Sequence, residues 1–407
     1  MSHALPGGSR HAARKADTLV RMSWSRTLLW MLAASAWPLS CRCDEPECGD
    51  DLRDPGELCF AQARVEIGLD LDTPLALRGG FYDDDEFGDL LVLGTDATGV
   101  TGRLLLGDGE AGLGKPRSVA VSGCSAYPIA GDLDGDGRHD LVFATCTNGL
   151  LVFRATDDGF AAPLEIPVGV AVRQGAIADV DGDGLRDLLV LGLDGAGVPA
   201  LSFAQALEDG TFAPAYLTPQ ALPALPDFAP NAMATGRVQR DGRFDVLYAE
   251  VERPGGLARS HYIGKGTFAP PEPLTLALRP TGVALRDLDN DDRLDLLTAD
   301  RARGELAAVL DGGDADGVRT PLAAEWSSFS LGQLDDDGWL DLVVVREERV
   351  EIRCGLGDGS FAEGVEVSFT TPVIEVALLD LNADGRDDLV AGTFSGESPL
   401  TIALSGP

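Results

Sequence analysis

Short apolar runs recur along this chain, and each follows a cluster of acidic residues. Examples are Leu-Val-Phe-Ala at 141–144, Leu-Leu-Val-Leu at 188–191 and Leu-Val-Val-Val at 342–345. Runs of this length, bounded by glycine, predict strands. A turn with glycine and an aromatic residue comes later in the units, as in Asp-Gly-Thr-Phe at 209–212. The pattern therefore predicts four short strands per unit, which is the content of one propeller blade.

The acidic cluster has the form Asp-x-Asp-x-Asp-Gly-x-x-Asp, and its best copy is residues 132–140. Seven imperfect copies, here called loops one to seven, each end in an aspartate at position 9. These aspartates are Asp89, Asp140, Asp187, Asp245, Asp295, Asp341 and Asp388, and the successive steps are 51, 47, 58, 50, 46 and 47 residues. So regular a period predicts a repeat architecture, and seven copies predict seven blades.

Loop two has carboxylates at positions 1, 3, 5 and 9, with Gly137 at the sharp turn and the carbonyl of Arg138 at position 7 free to point inward. Ca²⁺ takes about six to eight oxygen ligands, and a tight loop with closely spaced acids can supply many of them. An EF-hand needs a glutamate at position 12 and flanking helices. Position 12 is Phe143, and the flanks resemble strands. We therefore predict a structural calcium site in a loop between two strands.

Calcium is predicted at four loops, and at up to six. The predicted ligands in loops two, three, five and seven are Asp132, Asp134, Asp136, Arg138, Asp140, Asp179, Asp181, Asp183, Leu185, Asp187, Asp287, Asp289, Asp291, Arg293, Asp295, Asp380, Asn382, Asp384, Arg386 and Asp388, where position 7 contributes its main-chain carbonyl. A weaker site is predicted in loop six, where Gln333 precedes Asp335, Asp337 and Asp341.

The two remaining loops depart further from the pattern. Loop one has Phe81 at position 1 and keeps three acids at positions 3, 5 and 9, so calcium binding there is left open. Loop four has two acids together with Arg237 and Arg240. Because a positive side chain repels Ca²⁺, we predict that loop four is metal-free and that one of these arginines takes the place of the cation.

The repeated loops and turns resemble the FG-GAP/VCBS repeats of integrin alpha-chain propellers and of many bacterial secreted proteins. The resemblance extends from about residue 60 to the C-terminus, and its signal is specific because it recurs in register. It implies an all-β fold, a seven-bladed β-propeller with calcium-binding loops that join the innermost strand of each blade to the second. Residues 60–67 resemble the stretch after the later turns, whereas residues 400–407 end after a third strand. We therefore predict that the N-terminal strand closes the ring as the outer strand of blade seven.

The start of the chain resembles an export signal. Residues 1–41 are predicted to be a signal peptide, with Met22 as an alternative start, because the apolar run at 27–39 is too short for a membrane span. Leu-Ser-Cys at 39–41 resembles a bacterial lipoprotein cleavage box with Cys41 as the acylated residue, although Pro38 stands where leucine is usual. The alternative is ordinary cleavage with Cys41 in a disulfide. We predict a surface or outer-membrane lipoprotein or a secreted protein, with a cysteine-rich module at 42–59 and the propeller at 60–407.

Seven cysteines in an exported chain predict disulfides. Residues 48–59 resemble a short cysteine-rich module that precedes propellers in some bacterial surface proteins, which implies a bridge between Cys48 and Cys59. Cys124 and Cys146 flank loop two almost symmetrically in a hairpin, so they are close enough to pair. Two cysteines have no assigned partner: Cys43 and Cys354.

The net charge of −34 narrows the range of partners. Each bound Ca²⁺ would cancel two charges, and so acidic a chain is a poor partner for nucleic acid or for an anionic membrane. Beyond the signal segment, the histidines are His139 and His261, both predicted to be surface residues. Without a Gly-x-Ser-x-Gly elbow, they do not support histidine-dependent hydrolysis. Trp339 in loop six is predicted to pack between blades, with a solvent-facing platform for a sugar or peptide as the alternative.

Together these features predict a monomeric, non-catalytic, calcium-stabilised surface propeller that binds an extracellular protein or glycan. The protein is predicted to contact the membrane only through a lipid anchor. The alternative is a secreted calcium-dependent carbohydrate-active propeller, either a polysaccharide lyase or a lectin, which a basic pocket for uronates would favour. No such cluster is visible in the sequence, where Arg301 and Arg303 lie beside Asp300 and Glu305. Binding loops vary freely on a propeller, so the sequence does not identify the ligand.

Overall fold

The computed structural model describes residues 59–406 except 68, 72, 98, 111, 120, 122–127, 157–158, 214–219, 223–229, 240, 252, 313–316, 323–325, 336, 370 and 394–399. The predicted signal peptide, the acylation of Cys41 and the Cys48–Cys59 bridge concern residues outside this part or side chains that it does not describe. Within it, no helix is both long enough and apolar enough to cross a membrane.

The described residues form many short strands and one 3₁₀ turn, Leu310–Gly312. The strands are β1 Cys59–Ile67, β2 Thr73–Gly80, β3 Asp89–Asp96, β4 Gly99–Leu105, β5 Arg117–Val119, β6 Ile129–Gly131, β7 Asp140–Ala144, β8 Gly149–Phe153, β9 Ala155–Thr156, β10 Gly159–Phe160, β11 Leu164–Pro167, β12 Ala171–Ala178, β13 Asp187–Leu193, β14 Pro199–Ala204, β15 Gln220–Ala221, β16 Ala232–Gly236, β17 Asp245–Ala249, β18 Leu257–Gly264, β19 Thr267–Phe268, β20 Glu272–Pro273, β21 Val283–Arg286, β22 Asp295–Asp300, β23 Glu305–Val309, β24 Val318–Pro321, β25 Ser328–Gly332, β26 Asp341–Arg346, β27 Arg349–Arg353, β28 Val365–Ser368, β29 Val373–Leu379, β30 Asp388–Thr393 and β31 Leu400–Gly406.

These strands form seven antiparallel sheets within the described part of the chain, beside a two-stranded ribbon of β9 and β10. In blade order the sheets are β2-β3-β4-β5, β6-β7-β8-β11, β12-β13-β14-β15, β16-β17-β18-β19 with β20 on β18, β21-β22-β23-β24, β25-β26-β27-β28 and β29-β30-β31-β1. The prediction of an all-β, seven-bladed propeller is confirmed. Each unit supplies about four strands, as the spacing of apolar runs predicted.

Apolar clusters fill the spaces between neighbouring blades. Leu133 of blade two and Leu188 of blade three share one cluster. Another contains Leu77 of blade one and Leu379 of blade seven, so the first and last blades pack together. A sheet with two apolar faces needs a neighbour on each side, and a closed ring gives every blade two neighbours.

The aromatic residue of each turn contributes to these interfaces. Phe212, Phe268 and Phe361 are each buried against the blade that precedes their own in the chain. Removal of such a side chain from water stabilises the fold by about 1.5–3 kcal/mol. This burial explains why the turn motif recurs with an aromatic residue.

The first strands of the blades approach one another closely at the centre of the ring. Gly79 in β2 shows the reason, because a Cβ atom there would lie 2.8 Å from Cδ2 of Leu379 in β29. A side chain at this position would force the two strands apart. Small residues in the first strands therefore position the loops that follow them.

The ring is joined through the two ends of the described chain. β1 pairs antiparallel with β31, with Phe60 opposite Ser405 and Ile67 opposite Leu400. β1 is thus the outer strand of blade seven, the place that the sequence predicted for residues 60–67. Phe60 also packs against the apolar cluster between blades six and seven.

Candidate metal-binding loops

In every blade the acidic loop joins the first strand to the second. The aspartate at position 9 is the first residue of the second strand, as in β7, β13 and β22. Neighbouring loops contact each other around the ring, for example through the hydrogen bond from His139 N–H to the carbonyl of Phe81, with an N···O distance of 2.5 Å. The loops therefore lie side by side on one face of the propeller.

The aspartates at position 9 hold the main chain together. In all seven loops, Oδ2 of this residue accepts a hydrogen bond from the N–H of position 2, with N···O distances of 2.6–3.2 Å. In six loops, Oδ1 accepts a second bond from an N–H at or just after the end of the third strand. These carboxylates are buried, with at most 1% of the residue exposed. Position 9 is therefore a structural anchor with or without a metal ion.

Position 5 has a comparable role within the loop. Its carboxylate accepts a hydrogen bond from the N–H of position 7 in all seven loops. This is an Asx turn, and position 6 often adopts a positive φ, as at Gly137 with φ 93°. Loop four makes these bonds too, through Asp241 and Asp245. The loop conformation therefore does not depend on acids at positions 1 and 3.

Among the described residues, three carboxylates converge in each of four loops. Groups of three with oxygen atoms within 4.8 Å of one another are Asp83, Asp85 and Asp89 in loop one, Asp132, Asp134 and Asp136 in loop two, Asp179, Asp181 and Asp187 in loop three, and Asp287, Asp289 and Asp291 in loop five. This separation suits oxygen ligands about 2.3–2.6 Å from a shared Ca²⁺. The structure thus gathers the acids of loop one, which the sequence left open.

Loops six and seven differ from that arrangement. In loop six, Asp335 and Asp341 lie together with the sulfur of Cys354, but this cysteine is disulfide-bonded and does not offer a thiolate. In loop seven, the described aspartates do not form a group of three, and Nδ2 of Asn382 donates to Asp384 Oδ2 at 3.2 Å. The residue at position 7, Arg386, is buried.

The electrostatic environment of the loops favours a cation. Burial raises the pKa of Asp89 to about 6 and that of Asp187 to about 7. In loop six, burial and the neighbouring charge of Asp335 raise the pKa of Asp341 to about 8. A bound cation would counter both effects, because it favours the ionised carboxylate.

Arginine side chains already lie against several loops, and in loop five Arg293 forms an ion pair with Asp291. Nη1 of Arg154 is 2.9 Å from Asp140 Oδ2 and 3.6 Å from Asp134 Oδ2 in loop two. At loop four, burial raises the pKa of Asp245, and the charge of Arg259 in β18 opposes that rise. The sequence predicted that Arg237 or Arg240 takes the place of a cation in loop four. Arg240 lies outside the described residues. The arginine that the structure places at Asp245 is Arg259, which lies opposite loop four only because β17 pairs with β18.

Two cysteines and one tryptophan that the sequence analysis singled out have described side chains. Cys146 and Cys354 are both disulfide-bonded, whereas Cys124 lies outside the described residues, so the Cys124–Cys146 bridge stays a prediction. Trp339 is half-buried over its own blade, where a Cβ atom on Gly357 would lie 2.7 Å from its Cε2 atom.

The histidines do not form a catalytic pair. The ring centroid of His139 lies 6.1 Å from that of Phe81 and 5.9 Å from that of Tyr82, and burial lowers its pKa. The prediction that His139 is a surface residue is therefore wrong, since it packs between blades one and two. His261 lies in blade four, with Nε2 2.9 Å from Nη1 of Arg243.

Comparison with known proteins agrees with this architecture. The model of the FG-GAP-like repeat matches residues 132–190, 237–298 and 333–391, and no curated protein matches the sequence. A lectin from Agrocybe aegerita that recognises non-reducing terminal N-acetylglucosamine is similar over 74% of this chain and 81% of its own, with 16% identity and a TM-score of 0.52. The periplasmic gluconolactonase PpgL of Pseudomonas aeruginosa is similar over 72% of this chain and 85% of its own, with 15% identity and a TM-score of 0.47. The similarity to the lectin shows a shared fold alone.

Proposed function

The chain is an FG-GAP-repeat β-propeller protein, and on this premise we propose that it is a non-catalytic, calcium-stabilised binding scaffold. The observation that carries the proposal is the convergence of three carboxylates in each of loops one, two, three and five. Carboxylates held this close repel one another unless a cation lies between them. Calcium binding is therefore coupled to the order of each loop.

The proposal places the protein outside the cytoplasm. Two observations support this, the signal-like segment at 1–41 and the disulfide bonds of Cys146 and Cys354. Disulfides persist in oxidising compartments, and extracellular calcium modules bind with dissociation constants of about 10⁻⁴–10⁻³ M. A surface lipoprotein or a secreted protein would meet both conditions.

The proposed partner is an extracellular protein or a glycan. The described histidines lie in separate blades, and the position 9 aspartates are occupied by main-chain hydrogen bonds. These features support binding rather than catalysis. Loops held by a rigid scaffold are where many proteins place their binding residues.

The test is a metal count by mass spectrometry on the purified protein, together with thermal unfolding with and without chelator. We expect roughly four to six Ca²⁺ per chain and a large fall in the unfolding midpoint when the metal is removed. No bound Ca²⁺ and an unchanged midpoint would refute the proposal.

Matched variants locate the metal within the loops. Asp136→Asn changes a converging carboxylate at position 5 of loop two and is expected to reduce the calcium count by one. Asp241→Asn makes the same change in loop four, which lacks acids at positions 1 and 3, and is expected to leave the count unchanged. Equal counts in the two variants would mean that the loops do not bind calcium as proposed.

A further inference from the structure

The centre of the propeller widens between blades five and six. The first strands of the other neighbouring blades contact one another around the ring, whereas β21 and β25 make few contacts. A cavity of about 380 Å³ and another of about 280 Å³ lie along these two strands. Both are lined by Ala284 and Phe329, so they adjoin. We call the combined space the five–six cleft.

One part of the cleft carries an unneutralised positive charge. Arg286 lines the larger cavity and directly precedes loop five, at a position that is glycine in four of the other six blades. It is exposed, and its only polar contact among the described residues is a hydrogen bond from Nη1 to the Leu285 carbonyl at 2.8 Å. Arg78 lines the same cavity, but it forms an ion pair with Glu375 at 3.0 Å. The net charge of these three side chains is therefore positive.

The other part contains a second arginine and a buried indole. Arg301 lies over the ring of Trp326, with its Cζ atom 4.9 Å from the ring centroid, and its Nη2 donates to the Ser327 carbonyl at 2.8 Å. Trp326 is only 4% exposed. Its Nε1 atom has no hydrogen-bond partner in the described part of the chain. This N–H is buried away from the cavity, so the group that the smaller cavity offers to a ligand is the exposed Arg301 guanidinium.

Hydroxyl groups complete the lining. Ser328 and Ser330 alternate along β25 and line the smaller and the larger cavity, respectively. Neither hydroxyl forms a hydrogen bond with another described residue. Serine hydroxyls are suited to sugar hydroxyls, while an arginine is suited to a carboxylate.

We propose that the five–six cleft binds a sugar acid, that is, a polyhydroxylated molecule with a carboxylate. Arg286 binds the carboxylate, and the serine hydroxyls bind the hydroxyl oxygens. The cleft thus supplies the basic pocket that is not visible in the sequence, because the fold brings together residues far apart in the chain. This inference names a ligand class for the proposed binding role. It rests on the proposed function only in taking the protein as a binder and not an enzyme, and it does not require calcium in the loops.

The test is isothermal titration calorimetry of the purified protein with glucuronate, with glucose as the uncharged probe, in calcium and in chelator. We expect saturable binding of glucuronate and about tenfold weaker binding of glucose, because a charged hydrogen bond is lost. Absence of saturable glucuronate binding, or equal affinity for the two sugars, would overturn the inference without any variant.

Variants then assign the contacts. Arg286→Gln is expected to weaken glucuronate binding about tenfold, whereas Arg349→Gln, a change at an exposed arginine of β27 that pairs with Glu366, should leave it unchanged. Ser330→Ala removes a hydroxyl that lines the larger cavity beside Arg286, and should weaken glucuronate and glucose binding by the same factor. Thermal unfolding verifies that each variant is folded. Unchanged binding in a folded Arg286→Gln variant would refute the assignment.

The calcium count separates this inference from the proposed function. A protein that binds calcium but not glucuronate refutes the sugar-acid site alone. A protein that binds glucuronate without calcium refutes the calcium-stabilised scaffold alone.

Discussion

At the scale of single residues, the acids of a loop divide into two groups. Positions 5 and 9 accept main-chain hydrogen bonds in all seven loops, including loop four, which the sequence predicts to be metal-free. Positions 1 and 3 vary from loop to loop, and loop four, which lacks an acid at both, has no group of converging carboxylates among the described residues. The motif therefore combines a structural frame with the proposed metal site, and the two can be tested apart.

Asp187→Ala tests the structural frame. The Asp187 carboxylate accepts hydrogen bonds from Val180 N–H at 3.0 Å and from Ala206 N–H at 2.9 Å, and both are buried. Loss of the carboxylate leaves two donors unsatisfied, so we expect a loss of about 2–5 kcal/mol in the free energy of unfolding. Urea unfolding in chelator measures this without any contribution from calcium.

Asp187→Asn is the matched control, because its amide oxygen can still accept one of the two hydrogen bonds. It should lose less stability than the alanine variant under the same conditions. If both variants unfold at the same urea concentration as the unaltered protein in chelator, then position 9 serves only the metal.

At the scale of elements, main-chain hydrogen bonds link neighbouring loops. The N–H of position 8 donates to the carbonyl of position 1 in the preceding loop. This occurs from His139 to Phe81, from Gly88 to Asp380 and from Asp387 to Gln333, with N···O distances of 2.5–2.7 Å. A loop that becomes ordered therefore restrains its neighbour.

Gly88→Ala tests the link between loops one and seven. A Cβ atom at this position would lie 2.9 Å from the Asp380 carbonyl oxygen and 2.9 Å from Leu379 Cβ. Such crowding should cost about 1–3 kcal/mol. Gly195→Ala is the control, since a Cβ atom there meets nothing within 4 Å. Equal thermal midpoints for the two variants would show that the link is not tight.

The sequence predicts elements well where the signal is local. The spacing within the loops and the apolar runs after them depend on residues a few positions apart, so they identify the loops and the second strands correctly. Contacts between strands depend on register, which the spacing does not give. Arg259 reaches loop four because β18 pairs with β17, and Arg286 approaches Arg78 only because the ring closes. The location of His139 was mispredicted for the same reason, since its neighbours belong to another blade.

At the scale of the whole molecule, the ring depends on one strand from the other end of the chain. β29, β30 and β31 are consecutive, whereas β1 precedes all other blades in sequence. Without β1, the outer edge of β31 would present unpaired main-chain groups, and an exposed edge of this kind promotes association with other chains. The stability of blade seven is therefore tied to the N-terminal strand.

Deletion of residues 59–67 tests this dependence. We expect a lower thermal midpoint, faster hydrogen exchange in β31 than in the unaltered protein, and concentration-dependent association on size-exclusion chromatography. The exchange effect should be local, because β31 loses its pairing with β1, while β13 in blade three keeps both of its neighbours. Deletion of residues 42–58 leaves β1 in place and serves as the control. Equal protection of β31 in the two truncated proteins would mean that blade seven is stable with three strands, and that the ring is held by the apolar clusters alone.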